Sequence, residues 1–194
     1  MTGVGGPERG LAEGVAEVLG RLRHRLDQED RLVTAFSGGA DSALLAAVAH
    51  DVLGPRALAV TAVSASLPAA ERAAARDFAR SRGLAHVEVA TDELDRPEYR
   101  RNGADRCFHC KSALFDALLP VAAAMGARVA LGTNLDDLSD HRPGQQAARD
   151  RGAVFPLVDA GLSKAAVRAV SRELGLVTAE KPAAACLSSR IAYG

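Results

Sequence analysis

Segments with the apolar spacing of a helix alternate along the chain with short apolar runs of strand length, and this alternation predicts an α/β fold. Residues 1 to about 9 are expected to be disordered, and Leu11 to Leu26 has the apolar spacing of an amphipathic helix. Four apolar runs of strand length come next: Leu32 to Phe36, Ala57 to Ser64, His86 to Ala90 and Arg128 to Gly132. Helix-favouring segments separate or follow these runs: Ala43 to His50, Pro68 to about Arg82, Ser112 to Met125 and Ser163 to Leu174.

Strands that alternate with helices predict a doubly wound parallel sheet of about five strands, with helices on both faces and right-handed crossovers. In such a sheet the ligand lies beyond the carboxyl ends of the strands, where the strand order reverses. The first, second and fourth runs end near Ser37, Ser64 and Gly132, so we expect these ends to converge on one ligand. We divide the chain into an N-terminal tail and helix (1–30), an α/β domain (31–180) and a cysteine-bearing C-terminal segment (181–194).

The composition of the chain limits which classes of protein it can belong to. Hydrophobic residues make up 48% of the chain and aromatic residues 4%, which predicts a core packed mainly from Ala, Val and Leu. Lys+Arg and Asp+Glu number 24 each, and a neutral chain is a poor candidate for binding long nucleic acid. The start of the chain lacks the pattern of a signal peptide and no apolar run has membrane-crossing length, so we expect a cytoplasmic protein with no membrane partner.

The most informative stretch joins the first predicted strand to the helix after it, and it reads Ser-Gly-Gly-Ala-Asp-Ser. A strand, a glycine turn and a helix in succession direct backbone N–H groups and the positive end of the helix at an anion. Gly38 and Gly39 leave room for phosphate oxygens, Ser37 and Ser42 add hydroxyl donors, and Asp41 could hold Mg²⁺ against the phosphates. No lysine follows the glycines, which disfavours a loop of the kinase or GTPase type.

Three cysteines form the second chemical signal. Cys107 and Cys110 are three residues apart at the entry to a helix, and Cys186 lies far downstream. Structural zinc would need a fourth ligand such as His109, and a redox pair fits poorly because the pair is not at the first βα turn. Three thiolates with one open position would suit an iron–sulfur cluster whose fourth iron binds an exogenous sulfur. Cys186 could also be a small buried core residue.

The hexapeptide SGGADS resembles the PP-loop of the ATP pyrophosphatases, which split ATP into AMP and pyrophosphate. The longer series SGGADS, RCFHCK, GTNLDD, HRPG, GLSKAAVR and KPAAACLSSRIAYG resembles the LarE family of sulfur-insertion enzymes over roughly residues 31–194. That resemblance implies a PP-loop (adenine nucleotide alpha hydrolase-like) fold and an ATP-dependent sulfur transferase. Such an enzyme adenylates a carboxylate of pyridinium-3,5-biscarboxylic acid mononucleotide and replaces it with a thiocarboxylate, for the nickel-pincer cofactor of lactate racemase.

The resemblance also implies residue roles. Five residues of the hexapeptide would hold the ATP phosphates and Mg²⁺: Ser37, Gly38, Gly39, Asp41 and Ser42, with Asp41 as the magnesium ligand. Lys111 would be a cationic neighbour of the nucleotide. Gly132 and Thr133 would lie beside the adenylate. In one branch of the family a cysteine matching Cys186 gives up its own sulfur. In another, three cysteines hold a 4Fe-4S cluster. The chain has all three thiols, which favours a cluster on Cys107, Cys110 and Cys186.

Cationic side chains that could hold the substrate's phosphate or free carboxylate are Arg142, Lys181 and Arg190. The chain departs from the family at His141 and at Ala179-Glu180, where an aromatic residue is usual. The family also continues beyond the point that matches Gly194, with residues that grip substrate and join subunits. We therefore expect either a fragment or a protein that lacks part of its site, and a homo-oligomer is expected.

Three alternative functions stay open. A tRNA thiolase also joins a PP-loop to three cysteines, although the neutral charge counts against it. An amide-forming ligase such as an NAD synthetase shares the loop and needs no cysteine. A nucleotide-binding module that binds ATP without turnover is the non-enzymatic alternative.

Overall fold

The computed structural model describes residues 7–103, 105–138, 148–182 and residue 187. The helices are α1 Pro7–Asp27, α2 Ala40–Leu53, α3 Ala69–Ser81, α4 Pro97–Arg100, α5 Arg106–Met125, α6 Pro156–Asp159 and α7 Lys164–Glu173. The strands are β1 Leu32–Ala35, β2 Ala57–Val63, β3 His86–Ala90 and β4 Arg128–Ala130. Short 3₁₀ turns occupy Gly54–Arg56, Glu93–Asp95 and Asp136–Leu138.

The four strands form one parallel sheet in the order β3-β2-β1-β4. Leu32 pairs with Ala57 on one side and with Arg128 on the other, so β1 is central. The expectation of about five strands was wrong for the part of the chain that the structure describes. Val154 forms only an isolated parallel bridge with Ala130, and the chain then turns into α6 at Pro156, whose nitrogen has no hydrogen to donate to a ladder.

Two hydrophobic cores lie on opposite faces of the sheet, and they confirm the doubly wound architecture. Leu32 and Phe36 of the central strand region face the core that holds side chains of α1, α2, α3 and α7. Val33 faces the other core, where Phe115 and Leu118 of α5 are fully buried. The alternation along β1 is the period of two that a strand covered on both faces requires.

The element bounds confirm most of the sequence-based predictions and correct two of them. Helix α1 begins at Pro7, inside the stretch expected to be disordered. Helix α5 begins at Arg106, six residues before the predicted start at Ser112, and therefore contains Cys107 and Cys110. The predicted cap of α7 is confirmed, because the Ser163 hydroxyl accepts a hydrogen bond from the Ala166 N–H.

Helix α5 is long and apolar enough to cross a membrane by length and composition alone. Its apolar side chains have another explanation in this fold, since Phe115, Leu118 and Ala122 belong to the core on one face of the sheet. Pro120 also interrupts the helical hydrogen-bond ladder. We interpret α5 as a helix that covers one face of the sheet.

The strand order places a topological switch point between β1 and β4. The chain proceeds from β1 to β2 and β3 in one direction and then returns to add β4 on the other side of β1. Crossovers on opposite sides leave a crevice beyond the carboxyl ends of these two strands, where ligands of open α/β sheets bind.

Candidate active site

A cavity of about 510 Å³ lies beyond the carboxyl ends of β1, β2 and β4. The convergence expected from the sequence is confirmed, because Ser37, Ser64 and Gly132 all line this cavity. Its walls also include Cys110 and Lys111 from α5. Most of the predicted nucleotide-binding residues share the cavity: Ser37, Gly39, Asp41, Ser42, Lys111, Gly132 and Thr133.

The glycine loop, residues 37–42, is held by its own serine hydroxyls. The Ser42 Oγ donates to the Gly39 carbonyl at 3.1 Å and lies 3.1 Å from the Ser37 Oγ. The Ser37 N–H in turn donates to the Ser42 Oγ at 3.3 Å. Gly39 is the N-cap of α2, so the glycine loop continues directly into the first turn of that helix.

Gly38 is required by both conformation and space. Its φ of +73° lies in the left-handed region, which L side chains rarely adopt. A Cβ at this position would also lie 3.1 Å from the Cβ of Ala75 in α3. Helix α3 therefore packs directly against the back of the glycine loop.

Gly132 marks the closest approach between β4 and α2. A Cβ here would lie 2.8 Å from the Ser42 nitrogen and 3.1 Å from the Asp41 carbonyl carbon. These neighbours are backbone atoms at the start of a buried helix and have little room to move aside. The glycine thus allows the fourth strand end to lie against the first turn of α2.

Asn134 orients the predicted magnesium ligand, and the sequence argument missed it. Its Nδ2 donates to Asp41 Oδ1 at 3.0 Å, and only 1% of the residue is exposed. Its Oδ1 accepts from the N–H groups of Asp136 and Asp137 at 3.0 and 3.3 Å. Both ends of the amide are used, so Asp41 is held at the cavity wall, where its carboxylate fits the oxygen-ligand chemistry of Mg²⁺.

Among the described residues, four cationic side chains line the cavity, and only two of them were predicted from the sequence. Lys111 and Lys181 are in the wall as predicted, and Lys164 and Arg168 of α7 join them. Arg168 donates to the carbonyls of Ala179 and Lys181 at 2.7 and 3.1 Å, so it holds the backbone of the neighbouring segment. The sequence feature that could have indicated Arg168 is its position in the helix predicted from Ser163 to Leu174.

The cysteines lie on the side of the cavity opposite α7, as far as the structure describes them. Cys110 lines the cavity, whereas Cys107, one turn earlier on α5, is exposed. Leu187 donates its N–H to the Ser66 carbonyl at 3.0 Å, and Ser66 lines the same cavity. Within the described ranges, no group of three or more His, Cys, Asp and Glu side chains is placed to hold a metal ion.

Several predicted residues fall outside the described ranges. Cys186, Arg142 and Arg190 are all among them, so their proposed roles stay predictions. Lys181 is described, and its ammonium contacts protein atoms, donating to the Gly38 carbonyl at 2.9 Å and pairing with Glu71 at 2.7 Å.

Glu93 is a buried acidic side chain in the cavity wall that the sequence argument did not single out. Its Oε1 accepts hydrogen bonds from the hydroxyls of Ser64 and Ser66, and 4% of the residue is exposed. Burial acts to raise the pKa of Glu93, but hydrogen bonds from Ser64, Thr91, its own backbone and Ser66 outweigh it and hold the pKa below the usual value. The ionised carboxylate therefore fixes the turn after β2.

Comparison with known proteins identifies the domain. The family model described as asparagine synthase matches residues 14–132, which run from α1 through the end of β4 and include the glycine loop. The chain belongs to the asparagine synthase family. The domain of this family is of the PP-loop type, in agreement with the loop geometry above.

Individual relatives cover a larger part of the chain. An uncharacterized protein of Synechocystis sp. is 48% identical over 91% of the chain and 66% of its own length. The pyridinium-3,5-bisthiocarboxylic acid mononucleotide synthase of Lactiplantibacillus plantarum is 36% identical over 84% of the chain and 60% of its own length. The chain thus spans somewhat less than two thirds of each of these relatives.

Solved structures with low sequence identity share the fold. The NH3-dependent NAD synthetase from Campylobacter jejuni has a TM-score of 0.61 at 15% identity, covering 86% of this chain and 74% of that one. The U34-tRNA thiolase NcsA from Methanococcus maripaludis, solved with its 4Fe-4S cluster, has a TM-score of 0.64 at 18% identity, covering 91% and 69%. These likenesses establish the α/β PP-loop fold.

Proposed function

We propose that the protein is an ATP-dependent sulfur transferase that converts a carboxylate of pyridinium-3,5-biscarboxylic acid mononucleotide to a thiocarboxylate. One observation carries the proposal: the glycine loop and two cysteine-bearing segments border one cavity. Cys110 lines it, and Leu187, the neighbour of Cys186 in sequence, is bonded to Ser66 at its wall. The 36% identity to the synthase from Lactiplantibacillus plantarum supports the same substrate class.

In the first step the glycine loop and the start of α2 bind the β- and γ-phosphates of ATP. Asp41, oriented by Asn134, would hold Mg²⁺, which when bound offsets charge on the phosphates. A carboxylate oxygen of the substrate attacks the α-phosphorus, the bond to the bridging oxygen breaks, and pyrophosphate leaves. Backbone N–H groups at the helix end stabilise the charge that develops on the leaving group.

In the second step a sulfur nucleophile attacks the acyl carbon and AMP leaves. In the sacrificial route the Cys186 thiolate attacks and forms a thioester. A base then removes the Cα proton of Cys186, and the Cβ–S bond breaks with its electron pair leaving on the sulfur of the thiocarboxylate product, so that dehydroalanine remains in the chain. The cysteines also suit a cluster, because Cys107 and Cys110 lie one turn apart on α5. A 4Fe-4S cluster held by these two residues and Cys186 would, when bound, supply sulfide in place of the protein's own sulfur.

The test is anaerobic purification with iron and sulfide assays, followed by the mass of the chain after turnover with ATP and the biscarboxylate mononucleotide. About four irons per chain support the cluster, and loss of one sulfur from Cys186 supports the sacrificial route. Pyrophosphate release that does not depend on the mononucleotide, together with no thiocarboxylate product, would contradict the proposal.

A tRNA thiolase is the second candidate, and the three cysteines together with the fold of NcsA favour considering it. The balance of 24 basic and 24 acidic residues opposes it, because tRNA binding normally needs a basic surface. A salt-dependent shift of tRNA in a native gel would favour this candidate. The homo-oligomeric state, the cytoplasmic location and the division of the chain at residues 30 and 180 belong to the proposal as well.

A further inference from the structure

Lys181 has an unusual set of contacts for a residue expected to hold substrate. Its Nζ donates to the carbonyl oxygen of Gly38 at 2.9 Å and lies 2.7 Å from Oε2 of Glu71 in the first turn of α3. Only 18% of the Lys181 side chain and 25% of the Glu71 side chain are exposed. The ammonium group is therefore bound between two protein groups in the cavity wall.

The hydrogen bond to Gly38 has a consequence for the next residue. In a planar trans peptide the carbonyl of one residue and the N–H of the following residue point in opposite directions. Because Lys181 holds the Gly38 carbonyl, the Gly39 N–H is directed away from Lys181, and it donates a long hydrogen bond of 3.4 Å to the Ser37 Oγ. Ser37, Gly39 and Lys181 all line the cavity, so the Gly38–Gly39 peptide lies in the wall where an anion would bind.

A peptide between two glycines does not hold its orientation unaided. Glycine populates positive and negative φ about equally, so the Gly38–Gly39 peptide can rotate at low cost unless something fixes it. An inverted peptide would present a carbonyl oxygen to the phosphates and repel them. Among the described contacts of the Gly38 carbonyl, the bond from Lys181 is the one that restrains this rotation.

We infer that Lys181 is a positioning residue that holds the Gly38–Gly39 peptide in its anion-binding orientation, and that Glu71 holds Lys181 in place. This inference rests on the proposed use of ATP, and it replaces the expected role of Lys181 as a group that grips the substrate. It also links the loop to the cysteine-bearing segment, because Lys181 is the first residue of that segment and Arg168 bonds its carbonyl.

A substitution of Glu71 distinguishes this positioning role from direct binding of phosphate by Lys181. If Lys181 bound phosphate itself, Glu71 would compete for the ammonium, and Glu71→Gln would leave ATP binding unchanged or tighter. If Lys181 positions the peptide, Glu71→Gln releases the ammonium and weakens ATP binding. The two roles therefore predict opposite signs for one substitution.

The experiment measures binding of MgATP and of AMP by calorimetry to the full chain and to Lys181→Met, Glu71→Gln and the double variant. We expect MgATP affinity to fall about tenfold in Lys181→Met, since a hydrogen bond from a charged group is lost, and severalfold in Glu71→Gln. AMP lacks the β- and γ-phosphates, so its affinity should change less than twofold. The double variant should match Lys181→Met, because both changes act through one contact.

Controls keep the result interpretable. Asp77→Asn removes a charge from the exposed face of α3, where Asp77 pairs only with Arg80 among the described ion pairs, and should leave both affinities unchanged. Lys181→Arg keeps a cationic donor and should retain most of the binding. Tighter or unchanged MgATP binding in Glu71→Gln, or equal losses for AMP and ATP, would overturn the inference. A wild-type chain that binds no MgATP would instead overturn the proposed function on which it rests.

Discussion

The two sides of the cavity are built in different ways. On the nucleotide side, the glycine loop is held by contacts within six residues and by the close packing of Gly132 and Asn134 against the start of α2. On the sulfur side, the described residues of the cysteine-bearing segment contact residues far away in the chain: Lys181 contacts Gly38, Glu71 and Arg168, and Leu187 contacts Ser66. The glycine loop is thus fixed largely by its neighbours in sequence and by the start of α2, whereas the described part of the C-terminal segment depends on contacts with distant residues.

The largest effect that this difference predicts is a separation of the two steps. Cys186→Ala should abolish formation of the thiocarboxylate, by roughly a thousandfold or more, since a nucleophile or cluster ligand is lost. Release of pyrophosphate in the presence of the mononucleotide should continue, because the glycine loop is untouched. Parallel assays of pyrophosphate and thiocarboxylate check this prediction.

The same assays with Cys110→Ser resolve the sulfur source. A shared cluster requires Cys110, so thiocarboxylate formation should be lost in this variant as well. Retained activity would support the sacrificial route, and simultaneous loss of pyrophosphate release in Cys186→Ala would contradict the separation of steps.

The packing of the nucleotide side predicts the next largest effect. Gly132→Ala would place a Cβ 2.8 Å from the Ser42 nitrogen, so we expect a loss of about 1–3 kcal/mol in the free energy of unfolding. Urea denaturation measures the change. Gly20→Ala is the matched control, because a Cβ there meets nothing within 4 Å and an alanine in α1 should stabilise by up to about 1 kcal/mol.

A smaller effect is expected at Asp41, the proposed magnesium ligand. Asn134→Ala removes the hydrogen bond that orients Asp41, so the concentration of Mg²⁺ needed for half-maximal ATP binding should rise about threefold to tenfold. A magnesium titration of ATP binding gives this value. An unchanged magnesium requirement would place the cation elsewhere in the cavity.

The smallest predicted effect lies at Glu88 of β3, which is not one of the residues that line the cavity. Hydrogen bonds from Arg72 and Arg76 lower the pKa of Glu88 to about 2 from its usual 4.5. A lowered folded-state pKa stabilises the protein above pH 4.5, and this stabilisation is lost as the pH falls through about 2. Glu88→Gln should cost at most about 1 kcal/mol at pH 7, since the arginines are exposed, and the difference should shrink below pH 4.5 in urea denaturation.

Local patterns were sufficient to predict the nucleotide side. The glycine loop and the strand ends at Ser64 and Gly132 were predicted because a short strand, a glycine turn and a helix leave their signal in neighbouring residues. Contacts between distant parts of the chain left no such signal. The bond from Lys181 to Gly38 joins residues 143 positions apart, and nothing in either local sequence indicates it.

Element ends were harder to predict for a similar reason. The start of α5 was placed too late because Arg106 to Lys111 is polar and resembles a loop, whereas the structure continues the helix through it. The strand count was too high because Val154 makes a single bridge before Pro156 ends the pairing. Asn134 was missed because its role depends on a hydrogen bond to the carboxylate of Asp41, which lies 93 residues earlier in the chain.

The bond between Lys181 and Gly38 has a consequence for the order in which the site is completed during synthesis. A ribosome translates the glycine loop 143 residues before it adds the lysine that braces the loop. A nascent or prematurely terminated chain therefore carries an intact ATP-binding motif without its brace, and by our inference such chains compete poorly for ATP.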